Sequence, residues 1–250
     1  MLSAGNAPEY IYTDYQTAGR GQRGNGWESE AGKNLLCSIL IERRQVLACT
    51  QGNSLQPFYL NVAVSVAVHR TICLLLQSEE GSNSEAVTIK WPNDIYWRDK
   101  KLAGILIENA IIGSEWGYSI AGIGLNVNQT EWKSDVPNPL SLKQITGKEY
   151  HVDTLMVQLL EAVHQALKED VRDYYIAHLY RSKGFWPFVE REVNLTPTMN
   201  AGKDEPENAG HKPFLAQIKQ ILPTGEIVLQ DKNGQLRQYH FKQIRYVIEN

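Results

Sequence analysis

Between residues 87 and 127 the chain strings together strand-like runs with only turn-sized gaps, and nothing else in its 250 residues limits the fold so strongly. The runs 87–90 and 95–97 are rich in β-branched and aromatic residues. Arg98-Asp99-Lys100 is a tight turn into 102–110, and Gly113-Ser114-Glu115 a second turn into 118–127. Runs this short cannot bury an apolar face singly, so they must pair across their turns. Two further strands are expected upstream, at 10–15 from its alternation of apolar and polar residues, and at 35–41. The stretch 58–77 lacks Pro and Gly and is apolar on most faces, the pattern of a well-buried helix. Asn61, Ser65, His69 and Arg70 interrupt it, which argues against a membrane span.

Segment 128–139 is polar, carries two prolines, and reads as a mobile loop. A long helix is expected from an N-cap at Asp153 through residue 181, on the helical spacing of Leu155, Met156, Leu159, Leu160, Val163, Ala166, Leu167 and Val171. At 189 the composition changes. A polar segment, 196–211, precedes short strands at 214–222, 226–230, 236–241 and 244–248, divided by Pro223-Thr224-Gly225 and Lys232-Asn233-Gly234. That pattern suggests a small β-barrel and a division into 1–188 and 189–250.

A net charge of −3 provides no global field toward nucleic acid, so basic character must be local. Residues 1–10 show no secretory pattern. Cys37, Cys49 and Cys73 are odd in number, form no C-x-x-C, and read as reduced cytosolic thiols. The histidines have no zinc-site spacing.

Three motifs carry chemistry. Loop 17–27, T-A-G-R-G-Q-R-G-N-G-W, holds four glycines, two arginines and a tryptophan. Glycines let backbone N–H groups approach a ligand, and the arginine fork suits carboxylate or phosphate. An anion cradle at a strand end follows, with a flexible Arg/Gly surface segment as the plainer alternative. The loop is not a P-loop, and no helix pattern follows its glycines as in a dinucleotide fingerprint.

The second motif is Lys90-Trp91-Pro92-Asn93-Asp94, with Lys101 seven residues beyond Asp94. Pro-Asn-Asp is also ordinary turn chemistry, and Trp91 would suit a core. Alternation places Lys101, Ala103, Ile105 and Ile107 on one strand face, and Leu102, Gly104, Leu106 and Glu108 on the other. Only one of Lys100 and Lys101 can point inward, and the pattern does not choose. The third is Gly122-Ile123-Gly124-Leu125-Asn126-Val127-Asn128. Glycines within a strand mark close approach of a ligand or another backbone, and Asn126 offers both donor and acceptor. A bulge with a capping Asn is the alternative.

Taken together and in this order, G-R-G-x-x-G-x-x-W, K-W-P-N-D with K-L-A-G, and G-x-G-x-N-x-N resemble the catalytic domain of biotin–protein ligases, closely over 8–127 and more loosely to 250. The resemblance implies ATP-dependent conversion of biotin to biotinyl-5′-AMP, with Mg²⁺ on the phosphates, and transfer to a lysine of a biotin carboxyl carrier protein. It implies that Gln16, Gly19 and Arg20 contact biotin or its activated carboxyl, with Gly21 in the same loop. Arg23 would neighbour the phosphates and Trp27 would wall the pocket. Asp94 would be the acidic residue near the metal and reacting centre, and Lys101 would touch both biotin and the α-phosphate. Gly104 and Gly122 would line the slot, and Asn126 would reach the nucleotide. Arg20, Lys101 and Asp94 are thus the expected catalytic residues.

The implied fold is α+β: a mixed sheet with helices on one face, as in class II synthetases, then an SH3-like C-terminal barrel. No helix-turn-helix precedes residue 10, so a cytoplasmic enzyme without DNA or membrane partners is expected, as monomer or homodimer. Gln22 stands where the family often has Arg, and Asn25 where a basic residue can occur. The strand–Ser-Thr-Asn–helix unit that normally precedes the loop is not found. A shortened form is therefore expected, with a slot open on one side and an exposed sheet edge, unless Ser3 or Thr13 supplies the hydroxyls. Two rivals remain. A lipoate or octanoate ligase or transferase would share the fold, although no cysteine lies in an activating motif. A non-catalytic RNA-binding module is disfavoured by the acidic charge.

Overall fold

A computed structural model of the chain describes residues 9–21, 26–46, 58–79, 83–113, 115–133, 138–191 and 212–248. Two compact units are present, Met1–Tyr180 and Arg181–Asn250.

The first unit is built on six strands: β1 (Glu9–Thr13), β2 (Leu35–Glu42), β3 (Val87–Lys90), β4 (Asp94–Trp97), β5 (Lys100–Ile112) and β6 (Glu115–Leu125). They form one sheet in the order β1-β2-β6-β5-β4-β3. Every strand pair is antiparallel, which corrects the expected mixed sheet. Parallel neighbours need a crossover of about a dozen residues or more, and the turns between β3, β4, β5 and β6 are too short for one. Among the described residues, parallel contacts survive only as isolated bridges, Ile89 to Leu179 and Lys101 to Pro139.

Among the described residues, four α-helices accompany the sheet: α1 (Phe58–Gln77), α2 (Leu142–Thr146), α3 (Val152–Ala166) and α4 (Arg172–Ala177). α1 lies on β3, β4 and β5 and against α3, which also reaches β2. By length and composition α1 could cross a membrane, so the polar interruptions were a weak argument. What decides is that its apolar faces are buried by protein. Period-two alternation sends Cys37, Ile39 and Ile41 of β2, Ala121 and Ile123 of β6, and Ala103 and Ile105 of β5 under these helices, all buried. Each large aliphatic buried there contributes about 1.5–3 kcal/mol over exposure. The opposite face carries three cross-strand rows: Leu36–Gly124–Gly104, Ser38–Gly122–Leu106 and Leu40–Ile120–Glu108. β1 lies at the edge with all five residues exposed and has no strand partner on its outer side among the described residues. Ser3 is outside the described residues, and the Thr13 hydroxyl donates to Tyr15 O.

The single long helix expected to residue 181 is instead α3 followed by α4. Between them Asp170 accepts from the Arg172 N–H at 3.2 Å, a local side-chain bond just ahead of α4, whose N-cap is Val171. The N-cap of α3 is His151. Asp153 lies within the first turn, where its charge complements the helix dipole. α2 was legible but unread: Ser141 and Gln144 form a capping box, and Gly147 closes the helix at φ 75°. The described ends of segment 128–139 are pinned. Asn128 exchanges hydrogen bonds with the Tyr150 backbone, and Gln129 accepts from Glu30 N–H and Asn34 Nδ2.

The second unit contains β7 (Trp186–Glu190), β8 (Phe214–Ile221), β9 (Ile227–Asp231), β10 (Leu236–Tyr239) and β11 (Ile244–Tyr246). Their antiparallel order is β10-β9-β8-β7-β11, around buried Phe188, Ala216, Leu229 and Tyr246. β7 straddles the 188/189 division and pairs with β8 and β11, so it belongs wholly to this unit. Among the described residues the sheet is open: edge strands β10 and β11 are not paired with each other.

Candidate active site

The three motifs meet on the sheet face that carries no helix. The Trp91-Pro92-Asn93 turn, with a cis Trp91–Pro92 peptide, is held from below. Asn93 donates to Asn61 Oδ1 of α1 at 2.7 Å, the Tyr175 hydroxyl of α4 donates to Pro92 O at 2.7 Å, and Trp91 is buried. Turn chemistry and core packing are therefore both real, and their result is to present Asp94 at the start of β4. Lys101 Nζ lies 2.8 Å from Asp94 Oδ2, with each side chain about 30% exposed. Lys100 is exposed.

Alternation misplaced Lys101. β4 pairs Ile95 with Ala103 and Tyr96 with Lys101, so Leu102 is an extra residue on β5. Such a bulge re-aims the residues on either side of it. Lys101 consequently shares a surface with Gly104 rather than with Ala103: its Cε would lie 3.3 Å from a Cβ placed on Gly104. Beneath the pair sits Tyr96, whose hydroxyl accepts from Lys90 Nζ at 3.0 Å. Burial, followed by the negative charge of Asp94, pushes the Tyr96 phenol far above its ordinary value.

The described ends of the glycine-rich loop, 17–21 and 26–27, lie together over this surface. Trp27 N–H donates to Gly19 O at 2.9 Å, and Arg20 bridges to Gly26. A Cβ on Gly19 would clash with the Trp27 backbone carbonyl and stand 3.0 Å from Gln16 Oε1, so this corner of the loop admits no side chain. The Trp27 indole lies across Gly104 and Gly124: a Cβ on Gly104 would come within 2.8 Å of the ring, and one on Gly124 within 2.7 Å of Nε1. Lys101 Nζ is 5.8 Å from the same ring centroid. Trp27 Nε1 is buried without a partner among the described residues. Arg20 meets Glu108 at 3.6 Å, both largely exposed. Arg23 lies outside the described residues, and Gly21 is half-buried next to that gap.

Gly122 differs from its neighbour. A Cβ there would meet only Leu106, at 3.6 Å or more, so the space above it is open. Gly124, absent from the expected site, is the glycine that Trp27 requires. The signal was the double glycine in Gly122-Ile123-Gly124, whose members share one strand face. Asn126 is placed differently from expectation. It is 2% exposed and its amide nitrogen donates to the Lys101 and Leu140 carbonyls, while its Oδ1 is buried without a partner among the described residues.

The profile of the biotin/lipoate A/B protein ligase family matches residues 2–126. The bifunctional ligase/repressor BirA of Escherichia coli is 28% identical over 196 residues, 78% of this chain and 56% of that protein. A biotin–[acetyl-CoA-carboxylase] ligase of Mycobacterium tuberculosis is 32% identical over 132 residues, 53% of this chain and 44% of that one. The chain thus spans about half the length of such relatives. Among solved structures, biotin protein ligase from Aquifex aeolicus in complex with biotin and ATP superposes with a TM-score of 0.64 at 19% identity, covering 95% of this chain and 89% of that one. The Leishmania major biotin protein ligase in complex with biotinyl-5-AMP gives 0.58 at 20% identity, covering 95% and 90%. These likenesses establish an α+β fold with antiparallel sheets. With the family profile spanning half of its residues, the chain belongs to the biotin/lipoate A/B protein ligase family.

Proposed function

We propose that the chain activates biotin with ATP to biotinyl-5′-AMP and transfers biotin to a lysine of a biotin carboxyl carrier protein. The observation that carries this reading is the Lys101–Asp94 pair beside a glycine floor roofed by Trp27, on the uncovered face of the sheet. Named relatives and ligand-bound structures of the same fold support the choice of biotin and ATP.

The chemistry asks two anions to meet. A biotin carboxylate oxygen bonds to the α-phosphorus while the bond to the bridging oxygen breaks and pyrophosphate leaves. Lys101 and Arg20 supply positive charge where negative charge concentrates. Asp94 holds the Lys101 ammonium in place until the anionic substrates arrive. Arg20 leaves Glu108 readily, since an exposed pair of this kind is worth roughly 0.2–1 kcal/mol. Gln16, Gly19 and Gly21 shape the loop over the carboxyl end, Trp27, Gly104 and Gly122 form the slot, and Arg23 would stand near the phosphates. In the second step the acceptor amine attacks the biotinyl carbonyl, AMP leaves, and the amine gives up a proton. Loop closure over the adenylate would exclude water.

Mg²⁺ would arrive with ATP. Among the described residues no three His, Cys, Asp or Glu side chains come together as a metal site. Phosphate oxygens would be its main ligands, with Asp94 the acidic side chain at hand, and its charge would offset repulsion at the phosphates.

The second unit is read as an SH3-like barrel, supported by five antiparallel strands whose edges, β10 and β11, would pair to close it. Unpaired Cys37 and Cys73 suit a reducing cytoplasm, and the reading carries no DNA or membrane partner and a monomer or homodimer. A cysteine-dependent transferase fits less well. Burial pushes the Cys37 thiol up to about 12 and Cys73 up to about 11, and a thiol held protonated is a poor nucleophile. ATP–pyrophosphate exchange with biotin, lipoate and octanoate tests the reading. Exchange with biotin supports it, exchange only with lipoate or octanoate replaces it, and none with any acid favours a binding module.

A further inference from the structure

Lys101 sits where strand pairing is interrupted. The bulge at Leu102 releases the local backbone from the β4 ladder, so something else must set the direction of the Lys101 side chain. Hydrogen bonds from a distant segment do so. The Lys101 N–H donates to Asn138 O at 2.8 Å, and the Leu140 N–H donates to Lys101 O at 2.9 Å. One buried side chain ties the two strands of this small bridge. Asn126 Nδ2 donates to Lys101 O at 3.3 Å and to Leu140 O at 3.1 Å. Its own N–H donates to Leu102 O at 2.9 Å and its carbonyl accepts from Leu142 N–H at 3.1 Å. Asn126 therefore touches the residue before the bulge, the bulged residue, and Leu140 and Leu142 of the segment that grips them.

We propose that Asn126 is a positioning residue whose carboxamide locks the bulge to segment 138–142 and thereby keeps the Lys101 ammonium on the ligand face. The inference rests on the adenylation reading above, since it assigns Asn126 an effect on that reaction only through Lys101. A one-residue slip at the bulge would turn Lys101 toward the helix-covered face. Removing two amide donors loosens that register, whereas the biotin slot, built from Trp27 and the glycines, keeps its walls. The rate should fall and biotin binding should persist. Asn126 Oδ1 has no partner among the described residues, so Asn126→Asp changes chiefly the donor side. An ionised Asp would set a carboxylate against two carbonyls, and a protonated Asp would restore one donor.

The test uses the full chain, with biotinyl-AMP formation and amide hydrogen exchange read side by side. Asn126→Ala should lower kcat about 100-fold, the scale of a misplacement of about 1 Å, with biotin KM changed by no more than about twofold. Asn126→Asp should regain rate, relative to the parent chain, as pH is lowered from about 8 to about 5, where a buried carboxyl takes up a proton. Lys101→Ala combined with Asn126→Ala should be no slower than Lys101→Ala alone. Additive losses, a loss carried by KM, or an Asn126→Asp profile parallel to the parent's would overturn the proposal. If the parent chain forms no biotinyl-AMP, the adenylation reading fails. Exchange then still decides on Asn126: faster exchange at the Lys101 and Leu140 amides in Asn126→Ala supports the lock, and unchanged exchange refutes it.

Discussion

Gly122 and Gly124 stand two residues apart on one face of β6, yet a methyl added to each should act oppositely. At Gly122 a Cβ meets Leu106 O at 3.6 Å and Leu106 Cβ at 3.9 Å, ordinary contacts. At Gly124 it would lie 2.7 Å from Trp27 Cζ2 and Nε1, roughly 1 Å inside the optimal carbon contact. Neither glycine needs a positive φ. Alanine within a strand loses less backbone entropy on folding than glycine, by roughly 0.5–1 kcal/mol. Gly122→Ala should therefore melt higher by about 1–4 °C, at about 2–4 °C per kcal/mol for a protein of this size. Gly124→Ala gains the same entropy but must push the indole aside, an overpacking cost of about 1–3 kcal/mol, so it should melt no higher than the parent. Ligand binding reverses the order of interest. If biotin rests on Gly122, its new methyl takes ligand space, and an overlap costing about 1–3 kcal/mol weakens binding about 5- to 150-fold. Thermal denaturation and biotin calorimetry on the two variants read both effects. A Gly122→Ala protein that is more stable and binds biotin normally would show that the ligand does not lie on this glycine. One that melts lower would refute the open space above it.

Lys101→Ala should lose adenylation by orders of magnitude, while Lys100→Ala stays near the parent rate; the reverse ranking would shift the β5 register by one residue. Arg20→Ala should lower kcat/KM for adenylation far more than it weakens biotin binding, and equal losses would indicate a uniform binding role. His69, 1% exposed beside Val87 O and the Tyr174 hydroxyl, is lowered from 6.5 to about 4, chiefly by burial. Because the folded value lies below the unfolded one, its contribution is complete above 6.5 and is lost as pH falls toward 4, at most about 3 kcal/mol at about 1.36 per unit. His69→Gln should flatten the pH dependence of unfolding across that window, and an unchanged slope would exclude His69 as its source.

Much of this protein was legible in local pattern. The β3, β4, β5 and β6 strands were readable because turn residues and short gaps leave hairpins as the only pairing, and α1 because twenty residues without Pro or Gly admit little else. The all-antiparallel sheet was implicit in those same gaps, although a mixed sheet was expected. The split between α3 and α4 and the strand β7 were less visible: the apolar spacing runs on from Leu155 to Val171 across the break, and β7 straddles the change of composition at 189. At the site, residue types singled out the loop, Asp94 and the Lys100–Lys101 pair as candidates, because charge and glycine content belong to the residues themselves, and the family resemblance chose Lys101. Their arrangement does not. The packing of Trp27 on Gly104 and Gly124 joins residues more than seventy positions apart, and no local rule links them. The direction of Lys101 was decided later still. Alternation holds for a regular strand, and β5 departs from one at Leu102, where Asn126 and the 138–140 backbone, 25 or more residues away, dock on Lys101 and hold the bulge.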